Sequence, residues 1–224
     1  MQNKFTKLYP ESGVELTPFI SKHYDSLMNL GSFGRYHQFI EDAIKSLHIQ
    51  PGQSILDLGC GTGRNASLML PYLKNEGQLV GLDLSPIMMA AFKQKFKEDA
   101  HVTFVQQRID QLFDLKQSFD IVFISFVIHG FPQEVRQVII DNASRHLRKG
   151  GILAVLDFAE FDMDTMPVLH RFVFRKIECS YAFDYIARDW KSLLQEKGFD
   201  HFTEKFYIKK YVRLLQAEKI SEYT

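Results

Sequence analysis

The stretch SILDLGCGTG, residues 54–63, limits the fold more than any other part of the chain. A short apolar run reaches Asp57, and glycine then stands at every second position: Gly59, Gly61 and Gly63. That spacing weakens a strand interior and a helix interior alike. The segment reads as a strand ending in a tight loop whose backbone something must approach closely.

The residues that follow repeat the theme. SILDL gives way to the helical GRNASLMLPYLKN, and QLVGLDL to PIMMAAFKQKFKE and then VTFVQQ. FDIVFISFV is followed by PQEVRQVIIDNASRHLRKGG and ILAVLDF. Continuous apolar strands alternating with helical segments predict a parallel sheet covered on both faces. Pro86 and Pro132 suit first helical turns, and Gly150–Gly151 suits a helix stop. Upstream, Phe39, Ile40, Ala43, Ile44 and Leu47 share one helical stripe, which predicts a helix packed on the sheet. Downstream, TMPVLHRFVFRKIECSY reads as helical, and DYIARDWKSLLQEKGF as a helix closed by Gly198. HFTEKFYI and YVRLLQAEK lie too close for a crossover and predict an antiparallel hairpin at one sheet edge.

A chain of 224 residues suits one domain with an adequate core. Lys plus Arg and Asp plus Glu are both 27, and this balance disfavours a general nucleic-acid binder. Two cysteines exclude a disulfide scaffold or a four-cysteine zinc site, and no metal is expected. The opening MQNKFTKLYPESG lacks a secretory apolar stretch, and IVFISFVIHGF falls short of the ~20 residues that span a bilayer. The expectation is a cytoplasmic protein acting on a small molecule, with no nucleic acid and no membrane insertion.

Three sites use glycine loops of this kind. A phosphate-binding P-loop needs a Lys-Ser/Thr pair, and Arg64-Asn65 stands there instead. A dinucleotide fingerprint fits Gly61-Thr62-Gly63-Arg64-Asn65-Ala66, with Asp83 as the ribose acid. Against it stand Asp57 near the strand end, the absence of any Tyr-x-x-x-Lys pair and the closing hairpin. The third possibility accommodates all of these residues. ILDLGCGTG followed by LDLS, FDIVFISFVIHGFP and LRKGGILAVLDF resembles the ordered motifs of class I S-adenosylmethionine-dependent methyltransferases, from about Tyr24 to Lys219. The opening YDSLMNLGSFGRYHQF is also similar to the ubiquinone/menaquinone biosynthesis C-methyltransferase branch, with one extra residue and a different C-terminal third.

The resemblance implies a Rossmann-like three-layer α/β sandwich: a seven-stranded, mostly parallel sheet with a C-terminal antiparallel hairpin strand. It implies one domain over 1–224, with an N-terminal helical cap (1–50), a cofactor-binding core (51–158), an inserted helical lid (159–184) and a C-terminal helix and hairpin (185–224). S-adenosyl-L-methionine is the implied cofactor, contacted by Tyr24, Asp57, Gly59, Cys60, Gly61, Gly63, Asp83, Leu84, Ile109 and Ser125. The chemistry is consistent with these types. A Cβ at Gly59 or Gly61 would obstruct the cofactor's amino-acid end, Asp57 would face its ammonium, and Asp83 can accept from both ribose hydroxyls. Arg108 departs from the pattern, because the family usually has an acid there for the adenine amino group. The backbone N–H of Ile109 would still serve the adenine ring.

Methyl transfer from a sulfonium is an in-line displacement that needs positioning, dryness and, for some acceptors, a general base. His129 is the candidate base, or else a loop residue contacting cofactor or backbone. Tyr24 either covers the sulfonium or packs. Phe126, Phe131, Phe158, Phe161 and Phe183 predict an apolar or aromatic acceptor pocket beyond their share of the core. Arg171 and Arg175, beside His170 and Lys176, form either a solvated basic face or a seat for an anionic acceptor. The leading expectation is quinol-like C-methylation. The alternatives are O- or N-methylation of a small anionic metabolite and, in another class, an NAD(P)-dependent reductase.

Overall fold

The computed structural model describes Tyr9, Ser12 and residues 35–221. Tyr24 lies outside the described residues. A helix α1 (Arg35–Lys45) is followed by β1 (Ser54–Leu58), α2 (Arg64–Leu73), β2 (Gln78–Asp83), α3 (Pro86–Lys95) and β3 (Val102–Gln106). Then come β4 (Phe119–Ser125), α4 (Gln133–His146) and β5 (Leu147–Phe158). The last third holds α5 (Val168–Ile177), α6 (Ser180–Ile186), α7 (Trp190–Gln195), β6 (Phe199–Tyr207) and β7 (Val212–Lys219).

The seven strands form one sheet in the order β3-β2-β1-β4-β5-β7-β6. β1 pairs in parallel with both β2 and β4, and among the described residues the only antiparallel ladders join β7 to β5 and β6. The order reverses at β1, so its carboxyl end and that of β4 flank a crevice of the kind where open α/β sheets bind ligands. Alternation along the strands serves two cores. Ile55, Leu79, Ile121 and Phe123 pack under α1–α3, whereas Leu56, Leu58, Val122 and Ile124 pack under α4, α6 and α7. This is the expected three-layer sandwich.

Two segments break where one helix was expected. The run after Phe158 is interrupted at Glu178–Cys179, which separates α5 from α6. The run 184–199 is divided too: Asp189 caps α7 by accepting from the Ser192 N–H, so α6 ends at Ile186. Capping by an Asx side chain outweighs helical periodicity at such a point.

Candidate functional site

The glycine loop lies where β1 meets the crevice. The N–H groups of Gly59 and Cys60 both donate to Leu82 O, which locks the turn onto the end of β2. Gly61 has φ +54°, and among the described residues a Cβ there would meet nothing nearer than the Met88 sulfur at 4.0 Å. That backbone is open to a ligand. Gly59 is different. Its Cβ would fall 2.6 Å from Val127 Cγ2, so here the glycine also admits the protein's own loop after β4. At Gly63 a Cβ would strike Phe96 and Phe92 at 2.5 and 2.7 Å, the close packing of α3 beneath the loop. The Cys60 side chain is buried in the core, so only its backbone borders the loop.

Asp57 is the outlier of this region. It is 1% exposed, and among the described residues neither carboxylate oxygen has a hydrogen-bond partner. Burial, aided by the charge of Asp83, pushes its pKa up to about 8. A buried acid without a donor costs free energy that a cationic partner would recover. Asp83, at the tip of β2, accepts from the N–H of Gly61 (3.0 Å) and of Ser85 (2.8 Å). Burial raises its pKa, against those backbone donors. Each of its oxygens retains a lone pair for a diol. An orphaned acid for an ammonium, a second acid for two hydroxyls and an open glycine backbone between them fit the aminoacyl and ribose parts of S-adenosylmethionine.

Leu84 follows Asp83 half-buried, and Ser125 ends β4 in a similar position. Ile109 is buried in the loop after β3, which Asn142 of α4 holds by donating to the carbonyls of Ile109 and Gln111. The Ile109 N–H donates to the Tyr9 hydroxyl at 3.4 Å. Tyr9 also stands edge-on to Phe131 and over the Arg108 guanidinium. Arg108 in turn forms a two-pronged bond to Asp110, at 2.9 and 2.5 Å. The arginine thus seats Tyr9 and neutralises Asp110, and the donor expected to read adenine is engaged by a tyrosine that the sequence reading did not single out.

His129 lies beyond the carboxyl end of β4, in a short helical turn over Ile128–Gly130. It is buried, and its Nδ1 is 2.7 Å from Asp157 Oδ1. Asp157 also accepts from the backbone N–H of His129 and of Phe158. The Nε2 atom faces Glu178 Oε2 at 3.7 Å. Burial lowers the histidine's pKa, but the Asp157 charge and hydrogen bond, with Glu178 behind them, raise it by more. Burial raises the pKa of Glu178 as well.

Around this group the aromatic residues form a chain of edge-to-face contacts. Phe158 touches His129, Phe126 and Phe174, and Phe174 reaches both Phe161 and Phe183. Phe131 does not join them, since it packs with Tyr9. Phe126 sits at φ +51°, a strained position for a non-glycine residue. Arg136, wholly buried, fastens the His129 turn to α6: it donates to the carbonyls of Ile128, His129 and Tyr181 and to Asp184. Its guanidinium also lies over Tyr185 and Trp190. Arg171 is engaged by Asp164, and Arg175 is exposed, as on a solvated face. Asp157, Glu178 and Arg136 were not anticipated from the sequence. The one available signal was ILAVLDF, a third apolar strand ending in an acid.

Residues 55–151 match the methyltransferase domain family. An uncharacterized methyltransferase of Synechocystis sp. is 31% identical over 192 residues, covering 85% of both chains. A demethylmenaquinone methyltransferase of Geobacillus kaustophilus is 29% identical, over 84% of this chain and 82% of its own. The chain belongs to the class I S-adenosylmethionine-dependent methyltransferases. The solved magnesium protoporphyrin IX methyltransferase of Synechocystis, with bound S-adenosylhomocysteine, shares the fold at TM-score 0.62 and 21% identity, over 92% of this chain and 90% of its own. This methyltransferase is therefore an enzyme whose cofactor is S-adenosylmethionine. Among the described residues no helix is long and apolar enough to cross a membrane.

Proposed function

We propose that this methyltransferase C-methylates a small, apolar, quinol-like aromatic acceptor, with His129 as general base. The observation that carries the reading is the buried His129–Asp157 pair set into a wall of aromatic rings. The demethylmenaquinone methyltransferase relatives point to the same acceptor class. When bound, the cofactor supplies a methyl carbon already activated by its sulfonium. Asp57 would hold the ammonium, Asp83 the ribose, and the backbone of Gly59–Gly63 the aminoacyl chain between them. Adenine and the Tyr9 hydroxyl compete for the Ile109 N–H.

On the acceptor side, Asp157 fixes the Nδ1–H tautomer, which leaves Nε2 to take the proton that the ring carbon releases as the new C–C bond forms. Asp157 then stabilises the imidazolium. Phe126, Phe158 and Phe174 orient a flat acceptor and exclude water. In this reading residues 159–184 are the cover over the acceptor; of the expected N-terminal cap, residues 1–8, 10, 11 and 13–34 lie outside the described residues. Of the two arginines that would seat an anionic acceptor, Arg171 is already bonded to Asp164, while Arg175 stands exposed on α5.

The test is turnover with S-adenosylmethionine and a demethylated naphthoquinol, with mass spectrometry of both products. The expected outcome is a ring-methylated quinol in equal amount to S-adenosylhomocysteine. Methylation at oxygen, or none while a small carboxylic acid is methylated, would overturn the acceptor assignment.

A further inference from the structure

The surface outside the aromatic wall has a composition of its own. Helix α5 presents Val168, Phe172, Arg175 and Lys176 along one stripe, all exposed, with Val168 and Phe172 at 79% and 60%. Its sequence VLHRFVFRKI contains no acid. The tip of the β6–β7 hairpin adds Ile208, 57% exposed, and the exposed Lys209 and Lys210. These three residues keep left-handed backbone angles, φ +46°, +55° and +71°.

The two elements are neighbours. His170 of α5 meets the ring of Tyr211 at the base of the hairpin, and Tyr211 also touches Phe161 of the aromatic wall. Both therefore border the aromatic wall. The nearby acid Asp164 is bonded to Arg171, and Lys205, further down the hairpin, is paired with Asp42. Arg175, Lys176, Lys209 and Lys210 remain as an exposed cationic set around three projecting apolar side chains. The chain as a whole carries no net charge, so this is a local concentration of positive charge.

We propose that α5 and the β6–β7 hairpin tip together form a docking surface for an anionic lipid bilayer. Apolar side chains that project, flanked by lysine and arginine, match an interface where acyl chains lie beneath negative headgroups. Val168, Phe172 and Ile208 enter the headgroup region while the four cations meet phosphates. The surface stands on its own residues. Only its purpose, delivery of a lipophilic acceptor from the bilayer, rests on the function proposed above.

Sedimentation with vesicles tests it on the intact chain. The protein should bind vesicles containing phosphatidylglycerol, bind vesicles of phosphatidylcholine alone far less, and lose binding as salt rises. The exposed pair Lys209→Glu with Lys210→Glu should weaken binding by about tenfold or more. Phe172→Ser with Val168→Ser should weaken it by a comparable factor, and both variants should bind S-adenosylhomocysteine like the parent. Absence of vesicle binding would overturn the proposal and leave this face to an acidic protein partner. Binding that survives both double variants would overturn it as well. Vesicle binding without turnover of any quinol would retain the surface and reject the acceptor.

Discussion

The two halves of the crevice differ in how completely their polar groups are satisfied. On the cofactor side, Asp57 is buried with both oxygens unpartnered among the described residues, beside a second acid and an open glycine backbone. On the acceptor side, Asp157 takes three N–H donors and Arg136 has five carbonyl or carboxylate partners around the same turn. A polar group left incomplete marks the place where binding energy from a charged ligand is to be gained. A completed network instead fixes geometry, as a base and its support require. The cofactor half is built to receive charge, and the acceptor half to hold a shape.

The largest expected effect falls on the shaped half. His129→Ala should lower kcat by about 10²–10⁴-fold and leave affinity for S-adenosylhomocysteine unchanged. Equal losses of rate and cofactor affinity would mean that the halves are not separable. Because the His129 pKa lies above the ordinary 6.5, the rising limb of activity with pH should lie above that value. Asp157→Asn should move the limb down, since the raising charge is gone.

Next comes Asp83→Ala, expected to weaken S-adenosylhomocysteine binding by about 1.5–3 kcal/mol in calorimetry, with the fold intact. Retained affinity would remove Asp83 from the site.

Asp57 should show the cost of incompleteness as a dependence on pH. Its folded pKa of about 8 exceeds that of an unfolded carboxylate. Between those values the folded state holds a proton that the unfolded state has lost, so stability falls as pH rises through the window. Asp57→Asn should flatten that slope, raise the melting temperature of the ligand-free protein at pH 8 and weaken cofactor binding. In the parent, cofactor affinity should increase with pH up to about 8, as the carboxylate ionises. A destabilised asparagine variant would show that Asp57 is satisfied in solution.

The smallest effect concerns Tyr9. Tyr9→Phe removes the hydroxyl that engages Ile109 N–H and should tighten S-adenosylhomocysteine binding by about 0.5–1.5 kcal/mol. Weaker binding would instead make Tyr9 a wall of the adenine site.

How much of this was legible in the sequence follows the same division. The cofactor half is local: Asp57 and the three glycines lie within seven residues, and Asp83 ends the next strand. Close spacing made both the fold and the acids readable. The acceptor half is assembled at a distance. His129 stood out as a histidine after an apolar strand, but Asp157 and Glu178 become its neighbours only through pairing of β4 with β5 and the break between α5 and α6. Arg136 looked like an ordinary helix residue, because nothing nearby announces the carbonyls it meets on α6. Helical periodicity also concealed the breaks at Glu178 and Asp189, where capping decides the path. At Gly59 the sequence does not reveal the packing demand of Val127, which arrives from the distant loop after β4.

The interposition of β7 between β5 and β6 has a consequence for assembly during synthesis. Among the described residues β6 pairs only with β7, and one side of β5 is closed only by β7. The strands β1 to β5 can pair in the sequence in which they leave the ribosome. The flank of β5 that ends in Asp157 and Phe158 must wait for residues 212–219. A nascent chain halted before that strand would present a long apolar sheet edge, open to pairing with other chains. Chaperone dependence should therefore concentrate in the last stage of translation, and truncations within β7 should aggregate rather than persist as a smaller folded methyltransferase.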